Sequence, residues 1–451
     1  MQTRYFSLFM VAALLYTCRS SEINQQERLR LADEIEHSIQ TELLNKWYPY
    51  AMDTAYGGYL STFTYDFKPT GEQNKMIVSQ ARHVWTSARA AMAYPQQEHF
   101  LKTSAHGVRF LKDVMWDKTY GGFHTLVDRK GNVISNSDEQ KTAYGNAFGI
   151  YALAAYVMAT KDTSALSLAK EAFLWLEKNS HDPVHKGYFQ HLKRDGTVIW
   201  RDESVASTDD LGYKDQNSSI HLLEAFTELY QVWPHPLVLE RLREMLFLIR
   251  DTITTDKGYL ILFLRPDWTP VSFRDSSEDV IVQHHNLDHV SFGHDVETAY
   301  LMLEASHVAG IEGDTTTLRI AKKMIDHALL NGWDSVAGGF YDEGYYFRDR
   351  DAITITRDTK NWWAQAEGLN TLLLMADLFP EDELRYFEKF RLMWNYINTN
   401  LIDHEHGEWY AGGLDKQPQF RTALKGHIWK ACYHQYRSME NCVKRLRGEN
   451  H

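Results

Sequence analysis

Apolar residues recur along this chain at helical spacing in one segment after another. Residues 147–156 (AFGIYALAAY) place them at i, i+3 and i+4, and residues 220–230, 296–305 and 364–378 repeat the pattern. Several of these segments are apolar nearly all round, as helices shielded by an outer layer of structure should be. Between them a small glycine–aromatic turn returns: Tyr56-Gly57-Gly58-Tyr59, Tyr120-Gly121-Gly122-Phe123, Lys186-Gly187-Tyr188, Lys257-Gly258-Tyr259, Gly338-Gly339-Phe340 and His406-Gly407-Glu408-Trp409. Counted between the last glycines, the steps are 64, 65, 71, 81 and 68 residues. That period suits two helices of about four turns each and a loop carrying a short hairpin. Six such units predict an all-α (α/α)6 barrel, a toroid of six helical hairpins with short β-hairpin loops. An open solenoid is the competing arrangement, but no polar capping repeat stands at either end. No linker rich in Pro, Ser or Gly divides the chain, so residues 22–451 are expected to form one domain. In a toroid the loops at one end of the inner helices converge on a central cavity. Chemistry is therefore expected beside the helix starts.

Residues 1–21 read as an export signal: Arg4, an apolar run from Phe6 to Tyr16 too short to anchor in a bilayer, then Ser20 and Ser21. An exported protein follows, periplasmic or, if Cys18 is acylated, lipid-anchored, with no membrane span. Cys432 and Cys442 are too few for a disulfide framework. The net charge of −12 argues against a nucleic-acid partner. Aromatic residues reach 13%, as in clefts where sugar rings stack on side chains, although a large core gives the same figure. The unusual number is 21 His beside only 10 Pro and 3 Cys, which points to proton chemistry near neutral pH or to metal.

Five segments place ionisable, polar or paired aromatic groups on apolar helices. In Gln80-Ala81-Arg82-His83-Val84-Trp85, Arg82 needs a buried carboxylate or a polar ligand. In residues 217–224, Asn217, His221 and Glu224 share a helical face, with Asp209 and Asp210 upstream. Ser291-Phe292-Gly293-His294-Asp295-Val296-Glu297 puts His294 in a first turn, where the helix dipole favours a neutral imidazole, with Glu297 three residues on to orient it. His284, His285 and His289 lie just upstream, the densest His cluster in the chain. Residues 429–437 offer Trp429 and His434 on the last inner helix, and ring closure brings that helix beside the first. In Trp362-Trp363-Ala364-Gln365-Ala366-Glu367 the two indoles face different ways, one to the core and one to a ligand. Metal is the rival use of the histidines. His285 and His289 share a helical face in this reading, but no H-E-x-x-H and no spaced Cys partner accompanies them, and no metal or other cofactor is expected.

Together with Lys141-Thr142-Ala143-Tyr144-Gly145-Asn146-Ala147-Phe148, these segments resemble the N-acylglucosamine 2-epimerase superfamily, and more closely its cellobiose 2-epimerase branch, from about Ile35 to Arg437. The resemblance implies an (α/α)6 barrel working without metal or redox cofactor on a small-molecule disaccharide. It implies inversion of C2 of a reducing-end sugar, glucose to mannose, in β-1,4-disaccharides such as cellobiose or mannobiose. The pyranose must open first, because the C2 proton is acidic only beside an aldehyde. One base then leaves an enediolate, and reprotonation comes from the opposite face. By resemblance His294 and His434 are that acid/base pair and His221 helps hold the opened sugar. Arg82, Asn217 and Glu297 surround the reducing sugar, Trp363 and Trp429 are aromatic platforms, and Tyr144 is a further binding residue. The competing readings are an aldose–ketose isomerase or N-acylglucosamine epimerase on the same barrel, a glycoside hydrolase needing two carboxylates across the scissile bond, and a sugar-binding lipoprotein.

Overall fold

The computed structural model describes residues 25–134, 140–202, 204–205 and 207–449; the expected export signal and Cys18 lie outside them. Helix α1 covers 25–38 and continues through a widened turn at Ile39–Leu44 to Asn45–Trp47. There follow α2 (Ile77–Ala93), α3 (His99–Phe110), α4 (Ala143–Thr160), α5 (Thr163–Asn179), α6 (Gln216–Val232) and α7 (Pro236–Leu248). After the short α8 (Glu278–Gln283) come α9 (Phe292–Val308), α10 (Thr315–Asn331), α11 (Trp362–Leu378), α12 (Tyr386–Asn400) and α13 (Tyr433–Arg447).

Helices α2, α4, α6, α9, α11 and α13 pack each on the next, and α13 returns to α2, so the ring closes. Helices α3, α5, α7, α10 and α12 each lean on the inner helix before them, and the end of α1 lies against α13. This is the expected toroid. The two layers differ as their sequences do. Inner helix α4 is buried on every side from Ala143 to Val157, whereas outer helix α3 buries Phe100, Thr103, Ser104, Gly107, Val108 and Phe110, a single stripe.

Five of the six hairpin loops are built to one plan. Asp53 opens the loop after α1, accepts backbone N–H groups of Ala55 and Tyr56, and pairs with Lys75, which precedes α2, at 3.0 Å. The same pair recurs as Asp117–Lys141 (2.9 Å), Asp182–Lys214 (2.8 Å), Asp334–Lys360 (2.7 Å) and Asp403–Lys425 (2.6 Å). Both partners are buried, so losing either one leaves an uncompensated charge. Ahead of α9 the pair is missing: Thr255 stands at the turn and the strand before the helix carries Val290.

Three of the lysines, Lys75, Lys141 and Lys214, lie in two-residue strands that pair antiparallel with the following loop. β1 (Lys75–Met76) pairs with β2 (Leu126–Val127), β3 (Lys141–Thr142) with β4 (His191–Leu192), and β5 (Lys214–Asp215) with β6 (Phe263–Leu264). β7 (Val290–Ser291) pairs with β8 (Glu343–Tyr345), which also pairs with β9 (Thr354–Arg357). These ties lace successive loops into a rim around the starts of the inner helices. Side chains fix several of those starts: Thr142 caps α4, Asp215 caps α6 and Asn361 caps α11. The longest step of the turn repeat, 81 residues, is explained by the extra segment that carries α8 just ahead of α9.

Candidate active site

All six inner helices send residues from their first two turns to the middle of the ring: Arg82 from α2, Tyr144 from α4, Asn217 and His221 from α6, His294 and Glu297 from α9, Trp363 from α11, and His434 from α13. Every expected site residue except Trp429 lies on one of these helices. Trp429 sits in a turn ahead of α13, half exposed, and not on the last inner helix as the sequence pattern suggests. The helix begins only at Tyr433. What Trp429 gives Arg82 is its backbone carbonyl, which accepts from Nη1 at 3.1 Å.

The three histidines are held alike. His221 Nδ1 meets Glu224 Oε2 at 2.8 Å, His434 Nδ1 meets Glu367 Oε1 at 2.7 Å, and His294 Nδ1 meets the Ser291 hydroxyl at 2.8 Å. In each ring Nε2 is then the nitrogen left for a ligand. Trp363 joins two of them, its ring 4.7 Å from that of His294 and 5.8 Å from that of His434. His221 packs on Phe148 (4.7 Å) and Tyr144 (5.2 Å). Gly293 makes the His294–Trp363 contact possible. A Cβ there would stand 2.6 Å from Ala364 Cβ and 2.8 Å from the Trp363 ring. The glycine is needed for this close approach of α9 to α11, more than for a tight turn into the helix.

Behind the imidazoles lies a buried charge cluster around Arg437. Its guanidinium touches Glu224, reaches Glu297 at 2.6 Å and Glu367 at 2.7 Å, and lies beside Tyr433, which also bonds Glu224. Glu297 therefore serves Arg437, with His434 Nδ1 at 3.8 Å, and makes no hydrogen bond to His294, contrary to its i+3 spacing. Burial alone would raise the Glu224 carboxyl, but Arg437, His221 and Tyr433 outweigh it and hold it down at about 2. At Glu367 burial prevails. It lifts this carboxyl well above its usual range, with the Glu297 and Glu224 charges adding and Arg437 opposing. One guanidinium does not neutralise three buried carboxylates, and Glu367 is where a proton is most easily kept. Glu297, Glu367 and His434 also come within metal-binding spacing of one another, but the guanidinium already occupies that place.

His294 is drawn down to about 3, chiefly by enclosure and then by His221 and His289. Burial does more here than the helix dipole invoked from the sequence. His434 is pushed well below the usual imidazole range by burial and by Arg82 and Arg437. Arg82 has no carboxylate partner among the described residues. Besides the Trp429 carbonyl it bonds the Tyr144 hydroxyl at 3.2 Å, its Cζ lies 4.7 Å over Phe148 and 5.2 Å over Tyr433, and its buried Nε has no partner. Asn217 lies close enough to the Tyr144 hydroxyl to act on it. The indoles divide as their spacing requires, Trp363 to the histidines and Trp362 against His427 and Lys430.

Sequence reasoning passed over Arg437, Glu367 and Ser291 as site residues. Arg437 had a readable signal: it follows Tyr433 by four and His434 by three, on a helix buried through Val443. The loop acids Asp209 and Asp210 are exposed or half-exposed, with Asp209 paired to Arg201 at 3.2 Å.

The sequence profile of the N-acylglucosamine 2-epimerase (GlcNAc 2-epimerase) family matches residues 58–438. Cellobiose 2-epimerase of Bacteroides fragilis is 28% identical over 423 residues, 92% of this chain and 98% of that protein. D-mannose isomerase of Thermobifida fusca is 26% identical over 348 residues, 74% of this chain and 78% of that one. The solved structure of cellobiose 2-epimerase from Spirochaeta thermophila is similar with a TM-score of 0.78 at 27% identity, covering 93% of this chain and 98% of that chain. With a family profile spanning most of its length and the same ring of helices, the chain belongs to the N-acylglucosamine 2-epimerase family, a family of carbohydrate-epimerising isomerases.

Proposed function

We propose that this enzyme inverts C2 of the reducing-end sugar of β-1,4-linked disaccharides, cellobiose and mannobiose being the first candidates, through an enediolate. The observation that carries this reading is the pair His294 and His434, both against Trp363 and each with Nδ1 engaged and Nε2 left for a ligand. Opening the pyranose exposes the C1 aldehyde and makes the C2 proton acidic. One imidazole takes that proton on Nε2, and the electron pair moves into the C1–C2 enediolate. The other imidazole delivers a proton to the opposite face of C2. His434 is the proton donor in one direction: protonated Glu367 hands its proton to Nδ1 as Nε2–H is given to carbon, and His294 keeps the proton it removed. Arg82, a guanidinium with no carboxylate of its own, supports the developing oxyanion. His221, oriented by Glu224, assists ring opening and holds the opened chain beside Asn217 and Tyr144. Glu297 acts through Arg437, and Trp363 and Trp429 offer faces to the sugar rings.

The similarity to D-mannose isomerase favours one second reading. Returning the proton to C1 from the same enediolate gives a ketose. A hydrolase is disfavoured because Glu224, Glu297 and Glu367 are all tied to Arg437 and do not form a pair free to flank a glycosidic bond. Proton NMR with each disaccharide tests the reading: a new reducing-end anomer of the C2 epimer is expected. Ketose signals would transfer the assignment to isomerisation, and released monosaccharide would overturn it. We further infer export of the protein from residues 1–21, consistent with no described helix being long and apolar enough to cross a membrane. N-terminal sequencing of the mature protein checks this, with cleavage near Ser20 expected.

A further inference from the structure

The segment that lengthens the fourth repeat ends in the histidine cluster that the proposed chemistry leaves unused. His285 lies in a single 3-10 turn and His289 just before β7, so the two are not on one helix, yet their rings are parallel, 5.0 Å apart with 1° between planes. Both face Glu343 on β8. His285 Nδ1 is 3.5 Å from Oε2, and His289 Nε2 is 3.9 Å from Oε1. One donor atom from each of the three residues falls within 4.8 Å of the others.

The opposite nitrogens are already engaged. His289 Nδ1 meets the His285 carbonyl at 2.8 Å, and His285 Nε2 meets the Thr356 hydroxyl at 3.2 Å. A carbonyl only accepts, so His289 must donate from Nδ1, and its Nε2 lone pair points at a carboxylate oxygen. Two acceptors facing each other at 3.9 Å leave a place for a cation or a shared proton between them. Glu343 Oε2 is moreover buried without a hydrogen-bond partner. Among the described residues the one lysine or arginine on Glu343 is Arg357, at 3.0 Å from Oε1, and its side chain is 56% exposed and free to swing away. A tetrahedral ion with bonds of about 2.0–2.1 Å needs donors roughly 3.3 Å apart; the imidazole–carboxylate distances of 3.5 and 3.9 Å are near that value, and the three donors, within 4.8 Å of one another, must draw in around the ion to close the site.

We propose that His285, His289 and Glu343 bind a first-row divalent transition ion of the zinc type, with a fourth position open to water. The ligand set of two imidazoles and one carboxylate, each imidazole fixed through its other nitrogen, is the chemistry such ions select. The ion fastens the inserted segment to β8, beside the β7 residue Ser291 that holds His294. It takes no part in the proton transfers.

Untagged full-length protein, stripped with chelator, is titrated with Zn2+ by calorimetry and with Co2+ by visible spectroscopy. One equivalent is expected with Kd at or below about 1 µM, together with the d–d bands of four- or five-coordinate Co2+. His289→Ala and Glu343→Ala should each weaken binding by about 10–100-fold, while His284→Ala leaves it unchanged. Arg357→Ala, at an exposed position that does not endanger folding, should tighten it by removing the competing guanidinium. Binding weaker than about 100 µM, octahedral Co2+ only, or an affinity indifferent to His289→Ala, Glu343→Ala and Arg357→Ala would overturn the proposal.

Discussion

Glu367 is the residue whose protonation organises the proposed chemistry. It is buried, shares Arg437 with two other carboxylates, and stands 2.7 Å from His434 Nδ1. While Glu367 keeps its proton, His434 accepts at Nδ1 and presents Nε2–H. Its raised carboxyl value means the proton is held below that value and lost above it, so kcat is expected to fall on the alkaline side. Glu367→Gln can still donate a hydrogen bond to Nδ1 but has no proton to pass on. A fall in kcat of about 100-fold is expected, with KM and melting temperature little changed and the alkaline limb flattened. A variant with wild-type kcat would remove Glu367 from the relay. At this scale the sequence spoke unevenly. Imidazoles and a guanidinium on apolar helices are conspicuous, and His221, His294, His434 and Arg82 all reach the centre. Spacing along one helix identified the Glu224 contact correctly but misdirected Glu297. The i+3 rule describes one face of one helix, and here the stronger partner, Arg437, arrives from across the ring.

Elements are set by two devices, close approach and buried pairing. Gly293 lets α9 press against α11, and Gly293→Ala must displace Ala364 or the Trp363 indole. An expected cost of about 1–3 kcal/mol in stability should accompany a loss in kcat/KM of at least about tenfold, since Trp363 contacts both His294 and His434. Unchanged kcat/KM would mean that the indole's position is immaterial. The loop pairs make a separate prediction. Burial alone would raise Asp117, but Arg194 and Lys141 bring it below the usual carboxylate range. Its contribution to stability is then complete above the unfolded value near pH 4 and is lost as pH falls below it. Asp117→Asn should cost about 3–5 kcal/mol at pH 7, and denaturation curves of variant and wild type should converge below about pH 4. A constant gap across that range would show that the charge is not what stabilises the loop. The helices and the glycine turns were legible because each has a period. The two-residue strands were not, because Lys75–Met76 or Lys214–Asp215 carries no alternation to read. Nor was the boundary of α13: Trp429 belongs to the same apolar run but precedes the helix, in a turn where its carbonyl and not its indole meets Arg82.

On the scale of the whole molecule, function follows from closure. Twelve of the thirteen described helices, six inner and six outer, bring the starts of the inner six to one rim, so residues up to 355 positions apart, Arg82 and Arg437, share one centre through Tyr433. The repeat count anticipated this ring, and the 81-residue step marked where it would depart from regularity. The charge cluster at the centre was invisible in the sequence because its members come from α6, α9, α11 and α13 and meet only when the ring is closed. A centre with two imidazoles must show two-sided proton transfer at one carbon. The direct measurement is deuterium incorporation at C2 in D2O, followed by NMR with cellobiose and, separately, with its C2 epimer, for wild type, His294→Ala and His434→Ala. Wild type should invert C2 and place deuterium there. Each variant should lose inversion, and each should retain exchange without inversion with only one of the two epimers, a different one for each variant. Inversion at the wild-type rate in either variant would contradict the two-imidazole mechanism.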